Sequence, residues 1–396
     1  MAGADQSIDV DELWRVAAQR MRASPEVPGG VFAEGLRRLA SAVSSDGRYR
    51  PETLRRLQRD LLLRMVADLK LSRDLADTPE IAAIPMARPL LIAGFGRTGS
   101  SLLHNLLALD PSARTPLLWE LWHLSPPPRP ESRLTDPRIE LAQRRLQAFT
   151  QADPDIMDIH PMAARAPDEC HWIMRHSPLL SMFYEAPEYW LWLKQLGSGE
   201  LEQLYAHYRL QAQYLQLFFP GRHWLSKATA HLFFMPALFR VFPDAQIIRL
   251  HRDPCEAVPS LCSLVSHYRR LFSSDVNCRE IGATILDMFI DHMDRSMAAP
   301  ADKADQIIDI HFADLTADPI AAVRRIYDRF GYPYSDDFEA HMASHLRKQD
   351  AIAKPRHAYT LEQFGLTRGM VLERSANYLA WARPRCGELV TGAVAT

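Results

Sequence analysis

Residues 89–110 read PLLIAGFGRTGSSLLHNLLALD. A short apolar run, Leu90–Ala93, leads into a turn carrying Gly94, Gly96 and Gly99. Two hydroxyls, Ser100 and Ser101, follow. Leu102, Leu103, Leu106, Leu107 and Leu109 then recur at helical spacing. The pattern predicts a buried strand, a tight loop and a helix N-terminus. A helix start presents free backbone N–H groups, and glycines let an anion approach the main chain.

Gly94 and Gly99 have the G-x-x-x-x-G spacing of a nucleotide-binding P-loop, but the lysine expected next is Ser100. No point charge is therefore offered to a β/γ-phosphate. The cation lies inside the loop, at Arg97, where a guanidinium gives a planar fork for phosphate or sulfate. The loop suits one 5′-phosphate with a group attached better than a magnesium-bound triphosphate.

The 396 residues suffice for a large core. A formal net charge of −2 gives no basic face for nucleic acid. Five cysteines, odd in number and without a C-x-x-C pair, favour reduced thiols in a cytoplasmic protein over a zinc cage. The N-terminus carries acids where a signal peptide needs a basic region, and no apolar run reaches membrane-span length.

Residues 1–85 show helical periodicity around Val10–Ala17, Phe32–Val43 and Leu54–Leu71, and read as a helical N-terminal extension or an oligomer contact. Arg55, Arg56, Arg59 and Arg64 fall on the polar side of the last helix. Pro111–Pro130 is proline-rich, so it cannot be one long regular element. It holds Glu120 between Trp119 and Trp122, a candidate general base whose pKa the indoles would raise by desolvation. Asp136–Asp153 reads as an amphipathic helix. Residues 159–177 cluster His160, Asp168, Glu169, His171 and His176, with Glu169, near the start of a helix, a second candidate base. Residues 172–192 are dense in aromatics, either plain core or an apolar acceptor pocket.

Further on, His223–Ser226 reads as a strand delivering Lys227, with His231 in the helix after it. Ala245–Leu250 is a strand delivering Arg252. Ser260 follows eight residues later, about two helical turns along. In open α/β sheets ligands bind beyond the C-terminal strand ends, so Lys227, His231 and Arg252 should converge on the edge that holds Arg97. Gln306–Phe312 reads as another strand, and residues 354–366, KPRHAYTLEQFGL, as a tail segment that either covers a nucleotide or packs on the surface.

Together these residues resemble the PAPS-dependent sulfotransferase family, in its bacterial branch with a helical N-terminal extension. GFGRTGSSLLHNLL, 94–107, resembles the 5′-phosphosulfate loop. RLHRDPCEAVPSL, 249–261, is similar to the 3′-phosphate motif, with Arg252 and Ser260 in matching places. FADLTADP, 312–319, is similar to the family's Y-E-D-L-x-x-D-P. There are departures: Gly96 stands where proline is frequent, Lys227–His231 reads K-A-T-A-H in place of K-T-P-x-H, and Phe312 replaces a tyrosine.

The resemblance implies a three-layer α/β, P-loop-type fold with a central parallel sheet. Residues 86–396 would form it, with a helical acceptor-side insertion at about 130–220. It implies transfer of a sulfuryl group from 3′-phosphoadenylyl sulfate (PAPS) to a hydroxyl of a small hydrophobic acceptor, releasing adenosine 3′,5′-bisphosphate (PAP), with no metal. Gly96, Arg97, Thr98, Gly99, Ser100, Ser101, Arg252, Ser260 and Phe312 would bind the donor. Arg97 and Lys227 would hold charge on the leaving oxygen. Glu120, Glu169 and His231 remain alternatives for the base, a carboxylate being preferred. Two rival readings are a P-loop kinase and a non-catalytic nucleotide-binding scaffold, and a homo-oligomer through the N-terminal helices is a further expectation.

Overall fold

The computed structural model describes residues 7–273, 275–350 and 359–390. Its centre is a five-stranded, all-parallel sheet of β1 (Leu90–Gly94), β2 (Ala113–Arg114), β3 (His223–Lys227), β4 (Gln246–His251) and β5 (Ile307–His311), in the order β2-β3-β1-β4-β5. The register sets Ile92 beside Lys227, Gly94 beside Leu250, and His251 beside His311. β1 lies in the middle because every one of its residues is buried and apolar or glycine, as a strand covered on both faces requires.

Alternate side chains of β1 point to opposite faces. Leu90 and Ile92 join one core with Leu103, Leu106, Ile326 and Phe330. Leu91 and Ala93 join the other, larger core with Trp119, Phe233 and Val258. Helices cover both faces, so the fold is α/β with a central parallel sheet. Because the strands are parallel, the loops after β1, β3, β4 and β5 share one edge. The chain passes to β2 and β3 on one side of β1 and to β4 and β5 on the other, so the loop after β1 stands at the switch point where ligands bind.

The N-terminal helices Val10–Met21, Gly30–Ser44 and Pro51–Asp77 form where periodicity placed them. Asp9 caps the first by accepting from the Asp11 and Glu12 amides at 2.9 Å, and Pro51 opens the third. Their buried side chains, Trp14, Phe32, Leu57 and Leu61 among them, belong to the same contiguous core as the aromatic insertion and one sheet face.

The regular elements within Pro111–Pro130 are short, β2 and a helix, Leu118–Trp122. Two local expectations change. The segment after Lys227 is two helices, Thr229–Phe233 and Met235–Val241, with Pro236 in the first turn of the second. A proline lacks the N–H that a continuous helix needs. Glu169 precedes only a single turn, Cys170–Trp172.

Candidate functional site

The loop between β1 and the helix Ser100–Leu107 is tightly built. Gly99 has φ 88°, and a Cβ there would come within 3.0 Å of Leu315 and Phe312. Both the backbone and the close approach demand glycine. A Cβ on Gly96 would strike Leu261 at 2.8 Å. Thr98 is buried and its hydroxyl donates to the Phe95 carbonyl at 2.7 Å, so it pins the loop from within. The first N–H groups of the Ser100 helix have no acceptor inside the helix.

Arg97 is held at φ 71° and turned inward. Its Nε donates to Ser260 Oγ at 3.1 Å and its Nη1 to the Ile159 carbonyl at 3.0 Å. Arg252 Nη1 in turn donates to the Arg97 carbonyl at 2.8 Å. Arg252 also binds Glu256 at 2.9 Å, and its guanidinium lies 4.3 Å from the centre of the Phe312 ring. The glycine loop, Arg252, Ser260 and Phe312 are therefore one constellation. Burial, and after it the neighbouring Arg252, push the Arg97 pKa down, while Tyr359 in the tail acts the other way. Among the described residues no carboxylate pairs with Arg97. Of the tail, residues 354–358 lie outside the described residues; Tyr359 stands close enough to be felt by Arg97.

Lys227 ends β3 and joins this loop to the segment that carries Glu169. Its Nζ donates to Ser101 Oγ at 3.1 Å and pairs with Glu169 Oε1 at 2.9 Å. Glu169 Oε2 lies 3.4 Å from His171 Nδ1. Burial alone would raise the Glu169 pKa, but the Lys227 ammonium and then His171 hold it well below the usual carboxylate range. His160 follows the Ile159 carbonyl that Arg97 binds. Burial pushes its pKa down to about 4 against the opposing pull of Asp168, with Lys227, Glu169 and Arg97 also close enough to act. Sequence reading noted His160 in its cluster but assigned it no role; its position beside Arg97 is set by a contact across 62 residues.

Two candidates fall outside this arrangement. Glu120 is fully buried and accepts two bonds from Arg114, at 3.0 and 3.1 Å, and one from the Leu117 amide at 2.7 Å, with Arg133 at 3.4 Å. Its oxygens are occupied in tying β2 to the following helix, away from the Lys227–Glu169 pair. His231 is also fully buried. Its Nε2 meets Cys170 Sγ at 3.2 Å and its Nδ1 the Tyr205 hydroxyl at 3.1 Å. Burial pushes its pKa down to about 3. Both ring nitrogens face core groups.

The aromatic stretch divides. Tyr189 and Trp192 pack round His176, and Trp190 packs against Phe233 and His292, in solid core. Trp172, Phe183 and Tyr184 line a mostly apolar cavity of about 440 Å³, closed on its other sides by Leu57 and Leu61 of the N-terminal helices. His171 is in its wall, so the cavity adjoins the Glu169–Lys227 pair.

With this geometry in view, the comparisons with known proteins are informative. Residues 89–336 match the sulfotransferase family. Over 269 residues the chain is 28% identical to the omega-hydroxy-beta-dihydromenaquinone-9 sulfotransferases Stf3 of Mycobacterium bovis and Mycobacterium tuberculosis, the match covering 64% of this chain and 64% of each relative. The chain thus spans a little under two thirds of the length of these curated relatives. Its structure is similar to that of sulfotransferase STF1 from Mycobacterium tuberculosis, with a TM-score of 0.82, 27% identity, and coverage of 94% of this chain and 100% of that one. It is also similar to sulfotransferase STF9 from Mycobacterium avium, with a TM-score of 0.81, 26% identity, and coverage of 96% and 98%.

Proposed function

The chain belongs to the sulfotransferase family, and from that premise we propose that it moves a sulfuryl group from PAPS to a hydroxyl of a small hydrophobic acceptor. One observation carries the choice of donor. Arg97 and Arg252 lie in one constellation around a helix start with free N–H groups, and Arg97 is desolvated without a carboxylate partner among the described residues. A buried cation lacking a counter-charge is costly unless a ligand supplies one. A donor with phosphate at both the 5′ and 3′ positions of its ribose offers an anion to each end of this constellation.

When bound, the donor supplies the sulfuryl group and leaves as PAP. The chain's own residues do the rest. The N–H groups of Gly99–Ser101 and the Arg97 guanidinium hold the 5′ end, and Arg252 and Ser260 hold the 3′-phosphate. Phe312 offers an apolar face, and the tail from Tyr359 covers the site. Lys227 stabilises the oxygen on which negative charge develops. Glu169 is the base. While Lys227 faces Glu169, that carboxylate is a weak base. An anion bound at Ser101 draws Lys227 towards itself, and burial then acts on Glu169 against His171 alone and raises its proton affinity. The site arms its base only when donor is in place. Substrate and partner are otherwise a small hydroxyl compound, and among the described residues no helix is long and apolar enough to cross a membrane.

The kinase reading is separated by ligand choice. PAP without magnesium should raise the melting temperature by several degrees, in line with a ligand at about 100 times its Kd contributing about 2.7 kcal/mol. ATP with magnesium should raise it by less than a quarter as much. Equal stabilisation by both would remove the proposed donor.

A further inference from the structure

The cavity next to Glu169 is not purely apolar. A guanidinium in its wall is held by aromatic rings and, among the described residues, has no hydrogen-bonding partner. Arg56, on the helix Pro51–Asp77, extends its guanidinium between two rings, 4.8 Å from the centre of Phe149 and 5.0 Å from that of Phe272. Among the described residues no carboxylate or carbonyl accepts a hydrogen bond from it. Asp60, one turn further along the same helix, pairs instead with Arg145 at 3.5 Å. The other guanidinium groups of the wall are engaged, Arg64 with the Arg175 carbonyl at 3.0 Å, Arg138 with Asp136 at 2.8 Å and Arg175 with Asp68 at 3.4 Å, while the Lys70 ammonium is a further cation of the lining. Burial lowers the Arg56 pKa, and Tyr184 and Asp60 only partly offset it. Aromatic faces hold a guanidinium in place while leaving its N–H edge free for a planar anion.

Resting on the sulfotransferase reading, we infer that the acceptor is an amphipathic hydroxy acid: its hydroxyl lies at the Glu169 end of the cavity, its apolar chain runs along Leu57, Leu61 and Trp172, and its carboxylate or similar anionic group is bound by Arg56. The N-terminal helices are then a specificity element. They supply both Arg56 and one apolar wall, whereas the reacting groups come from the sheet edge. A neutral acceptor of the same length would leave Arg56 unsatisfied and gain only from its chain. A site built to hydrogen-bond a group rejects the analogue lacking it more strongly than an apolar pocket rejects a change of one methylene.

The test uses the full chain with PAPS and two acceptors of equal length, 12-hydroxydodecanoate and 1,12-dodecanediol. The acid should have the higher kcat/KM by about tenfold or more, the scale of one hydrogen bond between charged groups. In Arg56→Leu the ratio of the two values should fall to about one, through KM for the acid, and Arg56→Lys should restore part of it. A stabilisation by PAP equal to that of the parent shows that each variant is folded. If the parent turns over both acceptors equally, or Arg56→Leu leaves the ratio unchanged, the hydroxy-acid assignment is overturned while the sulfotransferase reading stands. Transfer to neither acceptor, with PAP still bound, overturns this acceptor class. Failure of PAP to bind removes the donor reading itself.

Discussion

A Lys227→Ala enzyme is expected to lose about 10²–10³ in kcat, the effect of removing one preorganised donor aimed at developing negative charge. Lys227 is nearly fully buried and touches two groups of opposite purpose, Ser101 on the donor side and Glu169 on the acceptor side. Removing it therefore has a second consequence. In the parent enzyme, Lys227 and His171 hold Glu169 ionised well below the usual carboxylate range against the upward push of burial. Without Lys227 that push is largely unopposed, so the Glu169 pKa rises. A carboxylate acts as base only when ionised, and activity is lost as pH falls through its pKa. The acid limb of the kcat/KM profile for PAPS, which reports the donor-free enzyme, should then move towards neutral pH in Lys227→Ala, while the parent stays flat through the weakly acidic range. A loss under about tenfold, or an unmoved acid limb, would separate Lys227 from the leaving oxygen and from Glu169 respectively.

The second large effect belongs to Glu169 itself. Glu169→Gln keeps the shape and removes the proton acceptor, and kcat should fall by about 10²–10⁴, the range for a positioned general base. PAP affinity should hold or improve, because Lys227 loses its competing carboxylate and remains available to the donor's anion. Single-turnover rates and a PAP titration on the same variant separate the two. A Gln variant with near-parental turnover would pass the role to His160, which follows the Ile159 carbonyl bound by Arg97.

Most of the donor side was legible in the sequence because each piece is local. The strand, glycine turn and helix of residues 89–110 announce themselves by apolar runs and hydroxyls, and Lys227 and Arg252 by standing at the ends of short apolar strands. Parallel strands then place those ends together, so Arg252 reaching the Arg97 carbonyl follows from topology. The acceptor side was legible only as a composition. Glu120 between two indoles reads as a poised base, yet Arg114, six residues earlier, takes both its oxygens. An arginine at that short distance was the available signal. His231 has the right spacing from Lys227, but Cys170 and Tyr205, which seal it, arrive from distant segments. β2, two residues long, has no periodicity to detect. The cavity needs Leu57 and Leu61 of the N-terminal helices to meet Trp172 and Phe183 of the insertion. No pattern within either segment states that meeting.

The account stands or falls on two anion pockets gripping a single donor, and calorimetric titration of PAP and adenosine 5′-phosphate into the parent and Arg252→Ala tests this most directly. The prediction is that PAP affinity falls by about 10²-fold or more in the variant, the cost of one arginine–phosphate contact made in a partly desolvated site, while adenosine 5′-phosphate binds both proteins within about threefold. Equal losses for the two nucleotides, or no loss for either, would contradict it.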